Sequence, residues 1–443
     1  MNLFGTDGIR GVANFGNLRP DVVMKVAVAL SGLLSQKSSR QHAKVVIGKD
    51  TRLSGYMIEN ALTAGFIASG IDVFLLGPVP TPAVAMLTKS MRADVGIMIS
   101  ASHNPYQDNG IKIFGPDGYK ISDDLQKEVS RIIENDNWEI YLAGSSDLGK
   151  AKRIDDAHGR YIEFLKATLP KRMSLTGMKI VLDAANGAAY SVGPVILSEL
   201  GADVIAIGDN PNGYNINEKC GSTYPGFLVQ KVLENQADIG IALDGDADRV
   251  IIVDSKGEII DGDKILALIA MNWKKNGKLT QNKIVTTVMA NKALEDFLND
   301  YGIEVIRTAV GDRYVMQEMH NNNINLGGEQ SGHIILSDFA YTGDGLLAAL
   351  QILSVMVEAG LNSLDISDLF KPYPQILKNV RLCDTNYDSA KISDLVDEIT
   401  KETGARILVR KSGTEPLIRI MVEAENEELL GSIADKIENA VIS

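Results

Sequence analysis

Three segments of the chain repeat one order of elements, and this repetition constrains the fold. Each copy opens with a lysine followed by β-branched residues, at 44–50, 179–185 and 283–288. A helix-length stretch and a glycine-led strand come next, at 70–73, 201–204 and 302–305. Short β-rich runs that alternate with helical stretches indicate α/β units around largely parallel sheets. Because the copies lie far apart in the sequence, they predict repeated domains and not a solenoid.

The third strand of each copy and the end of the chain complete this organisation. The third strands close on loops of small, polar or acidic residues, and they begin at Asp94, Asp238 and Ile324. Helix-start signals follow these loops, at Ser122, Asp261 and Asp344. The repeated pattern stops at 371–374. The sequence after this point predicts a strand, a helix near 389–403, two strands and a helix near 426–441. The sequence thus predicts three similar α/β domains with mixed or parallel sheets and a smaller C-terminal α+β domain, at 1–148, 149–255, 256–370 and 371–443.

Charge and cysteine content disfavour several classes of partner. The chain carries 57 acidic and 44 basic residues, for a formal net charge of −13. This charge disfavours nucleic acid and anionic membranes, so an anionic ligand needs local cations. The two cysteines, Cys220 and Cys383, fit a reducing compartment and offer no metal-binding pair. The sequence shows no signal peptide and no apolar run long enough for a membrane helix, so we expect a cytoplasmic protein without a membrane partner.

The first of the three loops presents serines at a strand edge. The apolar run 97–99 stops at a small, hydroxyl-bearing loop that a proline closes. Ser100 and Ser102 are both candidate nucleophiles, although serines in such places commonly cap turns or helices. No Gly-x-Ser-x-Gly elbow surrounds them, which disfavours an α/β-hydrolase. Alignment of the repeats places Ser102 opposite Asp246, at the centre of the second loop, and this favours Ser102.

The second loop concentrates carboxylates. Three aspartates with only small residues between them lie between two apolar strands, at Asp244, Asp246 and Asp248. They would repel one another without a cation, and their oxygen atoms suit a hard divalent ion such as Mg²⁺. An EF-hand is excluded because the sixth and twelfth positions are Arg249 and Ser255, where Gly and Glu are needed. The alternative is a solvated acidic turn, which the apolar strands on both sides disfavour.

Cations for an anionic ligand come from three segments. The segment 410–416 combines basic residues, hydroxyls and a glycine, and Arg419 follows it. Such a loop can wrap a phosphate, although it also suits a solvated β-turn. Arg313 lies at a predicted helix start, and Arg10 lies in the glycine-rich segment 5–11. Because the sequence has no Walker-type loop, a nucleoside triphosphate is disfavoured as phosphoryl donor.

The third loop and the strand after the serine loop add polar groups. Glu329 and Ser331 lie between glycines, which suits a polyhydroxylated ligand but also a capped turn with an internally bonded glutamate. Of the five histidines, His103 and His333 lie in these loops. Lys112 lies on the strand that returns after the serine loop. We expect a nearby metal and other cations to lower the pKa of its amine enough for acid–base chemistry.

Together these motifs resemble the α-D-phosphohexomutase superfamily, and the likeness covers essentially the whole chain. The segments that carry it occur in the same order, at 102–105, 244–249, 328–333 and 410–416. The opening 4–14, Gln330 and Gly413 are similar to the bacterial subgroup that acts on glucosamine phosphates. Relatives that act on mannose or glucose phosphates tend to carry Met and Asn at the last two positions. One departure from the subgroup is Ala247, where Gly is common.

The resemblance implies four domains in a heart shape, with the active site in the central cleft. Ser102 would carry the transferred phosphoryl group. Its phosphate would complete the shell of one Mg²⁺ ion, whose other ligands would be Asp244, Asp246 and Asp248. Lys112 would act as general acid or base, assisted by His103 or His333.

The same resemblance implies how the phosphoryl group and the substrate would be held. Arg10 and Arg249 would stabilise the phosphoryl group during transfer. The residues expected to bind the substrate are Glu329, Ser331, Arg410, Ser412, Gly413, Thr414 and Arg419. Arg313, at its predicted helix start, is expected to join them.

The implied reaction interconverts glucosamine 6-phosphate and glucosamine 1-phosphate and feeds the synthesis of cell-wall precursors. Glucosamine 1,6-bisphosphate would be both intermediate and activator. The expected partner is a small sugar phosphate and not a nucleic acid, and a homodimer is compatible with the resemblance. The alternatives are a mutase of mannose or glucose phosphates, a metal-dependent sugar phosphatase that uses the same loops, and a sensor without catalysis.

Overall fold

The computed structural model describes residues 3–5, 7–35, 43–381, 389–411 and 417–442. Among these residues the strands form four sheets. Each of the first three sheets joins parallel pairs to antiparallel pairs at one edge, with two antiparallel pairs in the first and second sheets and one in the third. The fourth is antiparallel. The predicted architecture of three α/β domains and a smaller C-terminal α+β domain is confirmed.

The first sheet has the order β1-β5-β4-β2-β3-β6. Its strands are β1 (Ile9–Val12), β2 (Lys44–Lys49), β3 (Asp72–Pro78), β4 (Val95–Ile99), β5 (Asp108–Phe114) and β6 (Ala151–Arg153). The helices of this segment are α1 (Pro20–Ser35), α2 (Ser54–Ala68), α3 (Thr81–Ser90) and α4 (Asp123–Glu134). The central strand β4 is buried along its whole length, as expected for a strand covered by helices on both faces. Because β6 pairs with β3, this sheet extends past the predicted boundary at residue 148.

The second sheet repeats this arrangement with the order β11-β10-β9-β7-β8. Its strands are β7 (Lys179–Asp183), β8 (Asp203–Ile207), β9 (Ile239–Leu243), β10 (Val250–Asp254) and β11 (Ile259–Ile260). Its helices are α5 (Ala157–Ala167), α6 (Val192–Glu199) and α7 (Gly226–Asn235). The buried strand β9 corresponds to β4, so the acidic loop leaves this sheet where the serine loop leaves the first.

The third sheet has the order β13-β12-β14-β15. Its strands are β12 (Lys283–Thr287), β13 (Glu304–Thr308), β14 (Leu326–Gly328) and β15 (Ile334–Leu336). The helices of this part of the chain are α8 (Gly262–Lys275), α9 (Lys292–Asp300), α10 (Asp312–Asn322), α11 (Gly345–Ala359) and α12 (Ser363–Ser367). The predicted start signals cap three helices, because Ser122, Asp261 and Asp344 accept backbone N–H groups of α4, α8 and α11.

The fourth sheet has the order β16-β18-β17, and its hydrophobic core is separate from that of the first sheet. Its elements are β16 (Gln375–Arg381), α13 (Ser389–Thr403), β17 (Arg406–Lys411), β18 (Leu417–Glu423) and α14 (Glu428–Ile442). Short 3₁₀ turns elsewhere span Gly16–Leu18, Trp138–Tyr141 and Thr280–Asn282. Within the described ranges, every helix is too short or too polar to cross a bilayer.

By its contacts the chain divides into two compact units, and the division does not follow the sequence order. One unit comprises Met1–Met289 and Ile303–Leu369, and the other comprises Ala290–Gly302 and Phe370–Ser443. Helix α9 therefore packs with the C-terminal elements although it lies between two strands of the third sheet. The side-chain amide of Asn291, which caps α9, donates to Tyr373 O at 3.0 Å and accepts from Tyr373 N at 3.0 Å.

Candidate active site

The serine loop follows β4 and is held from behind by a buried arginine. Ser102 is 1% exposed and has a left-handed backbone, with φ of 52°. Arg52 Nη2 donates to the carbonyls of Ser102 and Asn104 at 2.9 and 2.8 Å, and its Nη1 donates to that of Pro105 at 2.5 Å. Arg52 Nε donates to Asp50 at 2.8 Å, which fixes the guanidinium plane. A fork of this kind holds three carbonyls of one loop in a single geometry.

The two serines of this loop have different surroundings. Ser100 Oγ donates to Asp50 Oδ2 at 2.6 Å and accepts from Ser102 N at 2.9 Å, so it supports the loop. Ser102 Oγ donates to Asp244 Oδ2 at 2.5 Å and lies 3.4 Å from His103 Nδ1. Of the two hydroxyls, that of Ser102 therefore faces the acidic loop.

The acidic loop connects β9 to β10 and approaches the serine loop closely. Asp244, Asp246 and Asp248 are buried, and each offers a carboxylate oxygen within 4.8 Å of the others. A Cβ atom on Gly245 would lie 2.6 Å from Ser102 O, so only glycine allows this approach. Ala247 has a left-handed backbone with φ of 57°, a conformation that costs less for glycine.

The carboxylates of this loop fit a hard cation. Burial, with the charges of Asp248 and Asp246, raises the pKa of Asp244 to about 8. Thr81 Oγ1 donates to Asp246 Oδ2 at 2.5 Å, whereas buried Asp246 Oδ1 has no hydrogen-bond partner among the described residues. A buried oxygen of this kind and three clustered carboxylates are the donor set of a divalent metal ion. The group could therefore bind a metal.

Lys112 extends from β5 into the same cluster. Its Nζ donates to Asp246 Oδ2 at 2.7 Å and to Asp248 Oδ2 at 2.9 Å, and it lies 3.6 Å from Asp7 Oδ2. Burial alone would lower the pKa of Lys112, but these carboxylates outweigh it and raise the pKa well above the usual value. The expected lowering of this pKa presupposes a metal ion beside the amine, whereas the protein charges closest to it are negative.

The two predicted histidines have different environments. Burial, followed by the positive charges of Arg249 and Arg10, lowers the pKa of His103 to about 4, so its ring is neutral at pH 7. His333 is buried, and its Nε2 accepts the backbone N–H of Gly343 at 3.1 Å. This hydrogen bond leaves the proton on Nδ1, which lies 3.6 Å from Asp248 Oδ1.

A cavity of about 320 Å³ opens in front of Ser102. It brings together residues from the serine loop, the acidic loop, the third loop and the start of the chain. Among its lining residues are Arg10, Ser102, His103, Asp248, Arg249, Arg313, Glu329 and His333. A cavity of this volume with guanidinium, imidazole and carboxylate groups is suited to a small polar anion.

The remaining predicted substrate residues of this unit are arranged less uniformly. Glu329 Oε1 accepts the backbone N–H of Gly311 at 3.1 Å and faces the cavity. Arg313 also lines the cavity, but its guanidinium pairs with Asp123. Ser331 is exposed and is not among the residues that line it.

Arg410 and Arg419 lie in the other compact unit, on adjacent antiparallel strands. They are direct cross-strand partners of β17 and β18, and both are half-buried. Ser412, Gly413 and Thr414 lie outside the described residues.

Comparison with known proteins agrees with this geometry along the chain. Residues 1–139, 159–257 and 261–373 match the families described as phosphoglucomutase/phosphomannomutase, α/β/α domains I, II and III. Residues 377–440 match the C-terminal domain of the same group. The phosphoglucosamine mutase of Mesorhizobium japonicum is 54% identical, over 99% of this chain and 98% of its own length. That of a Chelativorans species is 55% identical, over 99% and 97%. The chain belongs to the phosphohexomutase family.

Solved structures of phosphohexomutases share the fold. A phosphoglucomutase/phosphomannomutase family protein from Burkholderia thailandensis has a TM-score of 0.82 at 24% identity, over 99% of this chain and 96% of its own. An N-acetylphosphoglucosamine mutase of Aspergillus fumigatus, in complex with GlcNAc-6P and magnesium, has a TM-score of 0.65 at 16% identity, over 99% and 95%. At these identities the likeness shows the fold.

The sequence motifs did not identify several side chains of this phosphohexomutase site. Arg52 follows β2, and only the rule that polar residues gather at the carboxyl ends of parallel strands could have found it. Asp7 and Asp312 stand inside segments that the sequence did single out, next to Arg10 and Arg313. Lys120 follows a turn and has no motif, yet it bonds to both of these aspartates.

Proposed function

We propose that this phosphohexomutase interconverts glucosamine 6-phosphate and glucosamine 1-phosphate. Proteins named phosphoglucosamine mutase are 54–55% identical to it over nearly the whole chain. The observation that carries the proposal is the Ser102 hydroxyl, 2.5 Å from a carboxylate of the metal-type cluster and at the wall of a cavity for a small anion. A small sugar phosphate is the substrate, in the cytoplasm, and glucosamine 1,6-bisphosphate is the intermediate and activator.

Asp244, Asp246 and Asp248 would hold one Mg²⁺ ion, and the phosphate on Ser102 would complete its shell. The set consists of oxygen donors alone, which Mg²⁺ prefers over softer metals. When bound, the ion neutralises negative charge on the phosphoryl group and lowers the barrier to its transfer.

Ser102 gives its phosphoryl group to the free hydroxyl of the bound sugar phosphate. The bond between phosphorus and Ser102 Oγ breaks, and a bond between phosphorus and the sugar oxygen forms. The proton of the sugar hydroxyl passes to a base, and Ser102 Oγ gains a proton from an acid. Lys112 is an ammonium group and can donate a proton, whereas the neutral ring of His103 can accept one. His333 is the third titratable group placed for these proton transfers. The bisphosphate then turns in the site and returns its other phosphoryl group to Ser102.

The other residues bind and orient. Arg10 and Arg249 line the cavity in front of Ser102 and stabilise the charge of the group in transfer. Glu329 holds sugar hydroxyls and Arg313 adds a positive charge. Ser331, expected to share the role of Glu329, does not line the cavity. The proposed phosphate-binding residues of the C-terminal domain are Arg410, Ser412, Gly413, Thr414 and Arg419.

Replacement of the nucleophile tests the proposal. We expect Ser102→Ala to lose mutase activity by a factor of about 10⁴ or more, because no other group can carry the phosphoryl group. Ser100→Ala, which removes a hydroxyl that supports the loop but does not face the acidic loop, should lose much less of the rate and keep the phosphate on Ser102. The intact mass should show one phosphate on the wild type and none on Ser102→Ala.

The assay also separates the alternatives. Wild-type kcat/KM should be higher for glucosamine 6-phosphate than for glucose or mannose 6-phosphate. A higher value for either neutral sugar would reject the proposed substrate. Steady release of inorganic phosphate without isomer formation would indicate a phosphatase, and full activity of Ser102→Ala would reject the phosphoserine.

A further inference from the structure

A second cavity adjoins the one that contains Ser102. It is larger, about 590 Å³, and Ser102 is not among its lining residues. The two cavities share a wall, which consists of Asp7, Gly8, Asp312, Arg313 and His333. The smaller cavity is lined by Ser102 and His103, whereas Lys112 lines the larger one. This wall therefore separates the larger cavity from the phosphoryl group on Ser102.

Lys120 joins the two carboxylates of the wall from the side of the larger cavity. Its Nζ donates to Asp7 Oδ1 at 2.5 Å and to Asp312 Oδ2 at 2.6 Å. Asp7 belongs to the part of the chain that matches domain I, and Asp312 to the part that matches domain III. Two ionised carboxylates repel each other, and Lys120 bonds to both of them, whereas Arg10 bonds to Asp7 and not to Asp312 within the described part of the chain.

The hairpin that carries Lys112 also places Lys120. β5 ends at Phe114, a tight turn follows, and Phe114 and Lys120 form an antiparallel bridge. The neighbouring Tyr119 packs against Tyr341, with ring centroids 4.7 Å apart, which fixes this segment against domain III. A single rigid hairpin thus carries one lysine to the acidic cluster and another to the wall.

The contacts of Lys120 continue into the proposed catalytic groups. Asp7 lies 3.6 Å from Lys112 Nζ, and Asp312 lies 3.7 Å from His333 Nε2. Both of these groups in turn face Asp248, at 2.9 and 3.6 Å. Charged and polar groups therefore form a closed ring through parts of domains I, II and III, and Lys120 is the member farthest from the acidic loop along it.

We propose that Lys120 is a positioning residue that closes the wall between the two cavities and keeps water away from phospho-Ser102. Without its ammonium group, Asp7 and Asp312 separate and the larger cavity opens into the smaller one. Water then competes with the sugar hydroxyl. The water oxygen forms the new bond to phosphorus, the bond to Ser102 Oγ breaks, and Ser102 Oγ gains a proton. This inference rests on the proposed function of the site.

A second lysine provides a matched control. Lys89 Nζ lies 2.5 Å from Tyr341 Oη and 4.3 Å from the centre of that ring. It therefore also links domain I to domain III beside the larger cavity, but it is not part of the ring. If a weaker contact between domains I and III were enough to explain the effect of Lys120→Met, then Lys89→Met would have the same effect.

The test compares Lys120→Met, Lys120→Arg and Lys89→Met in the full-length enzyme with Mg²⁺ and glucosamine 6-phosphate. Isomer and inorganic phosphate are measured in the same reaction. For Lys120→Met we expect kcat to fall by about 10- to 100-fold with KM within about twofold, and the phosphate released per isomer formed to rise. Lys120→Arg keeps a cation and should recover part of both changes, and Lys89→Met should match the wild type.

Equal behaviour of Lys120→Met and Lys89→Met would overturn the inference, and so would a loss of kcat without extra phosphate release. If Lys120→Met does not fold, Lys120→Arg decides, because its wider fork should still shift the ratio of phosphate to isomer. The wild-type rate alone tests the proposed function. If the wild type forms no isomer, the proposed function is rejected. If the wild type forms isomer and every variant behaves like it, only the role of Lys120 is rejected.

Discussion

The serine loop and the acidic loop occupy the same place in two copies of one unit, yet they are held by different means. Each follows a fully buried strand, β4 or β9, that pairs antiparallel with the next strand. Each contains a left-handed residue, Ser102 or Ala247. Side chains hold the serine loop, since Arg52 and Asn217 Nδ2 both donate to Ser102 O.

The acidic loop is held by backbone N–H groups instead. Those of Thr81 and Gly345 donate to the carbonyls of Asp246 and Ala247, both at 2.9 Å. Arg249 N donates to Asp244 Oδ1 at 3.1 Å. A cation therefore holds the backbone of the loop with the neutral hydroxyl, whereas backbone N–H groups hold the backbone of the charged loop. The carboxylates of the charged loop face Lys112 and the proposed metal ion. The sheet therefore determines the position of each loop, and the hydrogen-bond donors to the loop determine which charge can bind beside it.

Removing one carboxylate of the acidic loop should have the largest effect. We expect Asp246→Asn to weaken Mg²⁺ binding and to lower kcat by roughly 10³-fold, because the ion loses a ligand and the phosphoryl group loses charge neutralisation. Calorimetric titration of the apo protein with Mg²⁺ and initial rates measure the two effects. Treatment of the wild type with EDTA should abolish activity, and Mg²⁺ should restore it.

Asp238→Asn is the matched control for that variant. Asp238 precedes β9 and accepts Lys179 N at 2.7 Å, far from the acidic loop along the same strand. Unchanged Mg²⁺ affinity in Asp246→Asn would contradict the assignment of the metal site.

Weakening the support of the serine loop should have a smaller effect of a different kind. Arg52→Lys keeps the charge but loses the planar fork, so we expect Ser102 to shift and the rate of phosphoryl transfer to fall by about 10²-fold. Mg²⁺ affinity should stay unchanged because the aspartates keep their N–H donors. Single-turnover transfer from phospho-Ser102 and calorimetry test the two statements.

Arg153→Lys, an exposed residue on β6 of the same sheet, controls for arginine-to-lysine exchange as such. If Arg52→Lys weakened Mg²⁺ binding as much as it slowed transfer, the two loops would not be supported independently.

The smallest effect concerns the left-handed residue of the acidic loop. Ala247→Gly relieves the cost of a positive φ but removes a buried methyl group and adds freedom to the unfolded chain. We expect a net stabilisation of at most about 1 kcal/mol and an unchanged kcat, measured by thermal unfolding and by initial rates. The same substitution at Ala101 of the serine loop, which lacks a positive φ, should only destabilise. A destabilised Ala247→Gly would show that the methyl group outweighs the backbone strain.

Much of the fold could be predicted because its elements are strongly patterned. The repeated units and the C-terminal helices have clear periodicity and start signals, and α13 spans the predicted 389–403. The place of α9 could not be predicted, since nothing local distinguishes a helix that packs on its own sheet from one that packs elsewhere. The extension of the first sheet by β6 likewise depends on a pairing distant in sequence.

For the site, the sequence indicates side chains that belong to motifs and misses those that act through distant contacts. Arg52 and Lys120 are single residues, and their roles depend on carbonyls and carboxylates that the fold brings to them. The pKa of Lys112 shows the same limit. Its direction depends on which charges lie nearest, and these charges come from two segments distant in sequence from Lys112, one with Asp7 and one with Asp246 and Asp248.

The allocation of α9 to the C-terminal unit changes how that unit is tethered. The chain passes between the two units after Met289, after Gly302 and after Leu369, so it makes three covalent crossings. A body on one linker can pivot freely, whereas a body on three must bend all of them together, which narrows its allowed paths. A fragment that starts at Phe370 would lack α9 and the hydrogen bonds between Asn291 and Tyr373.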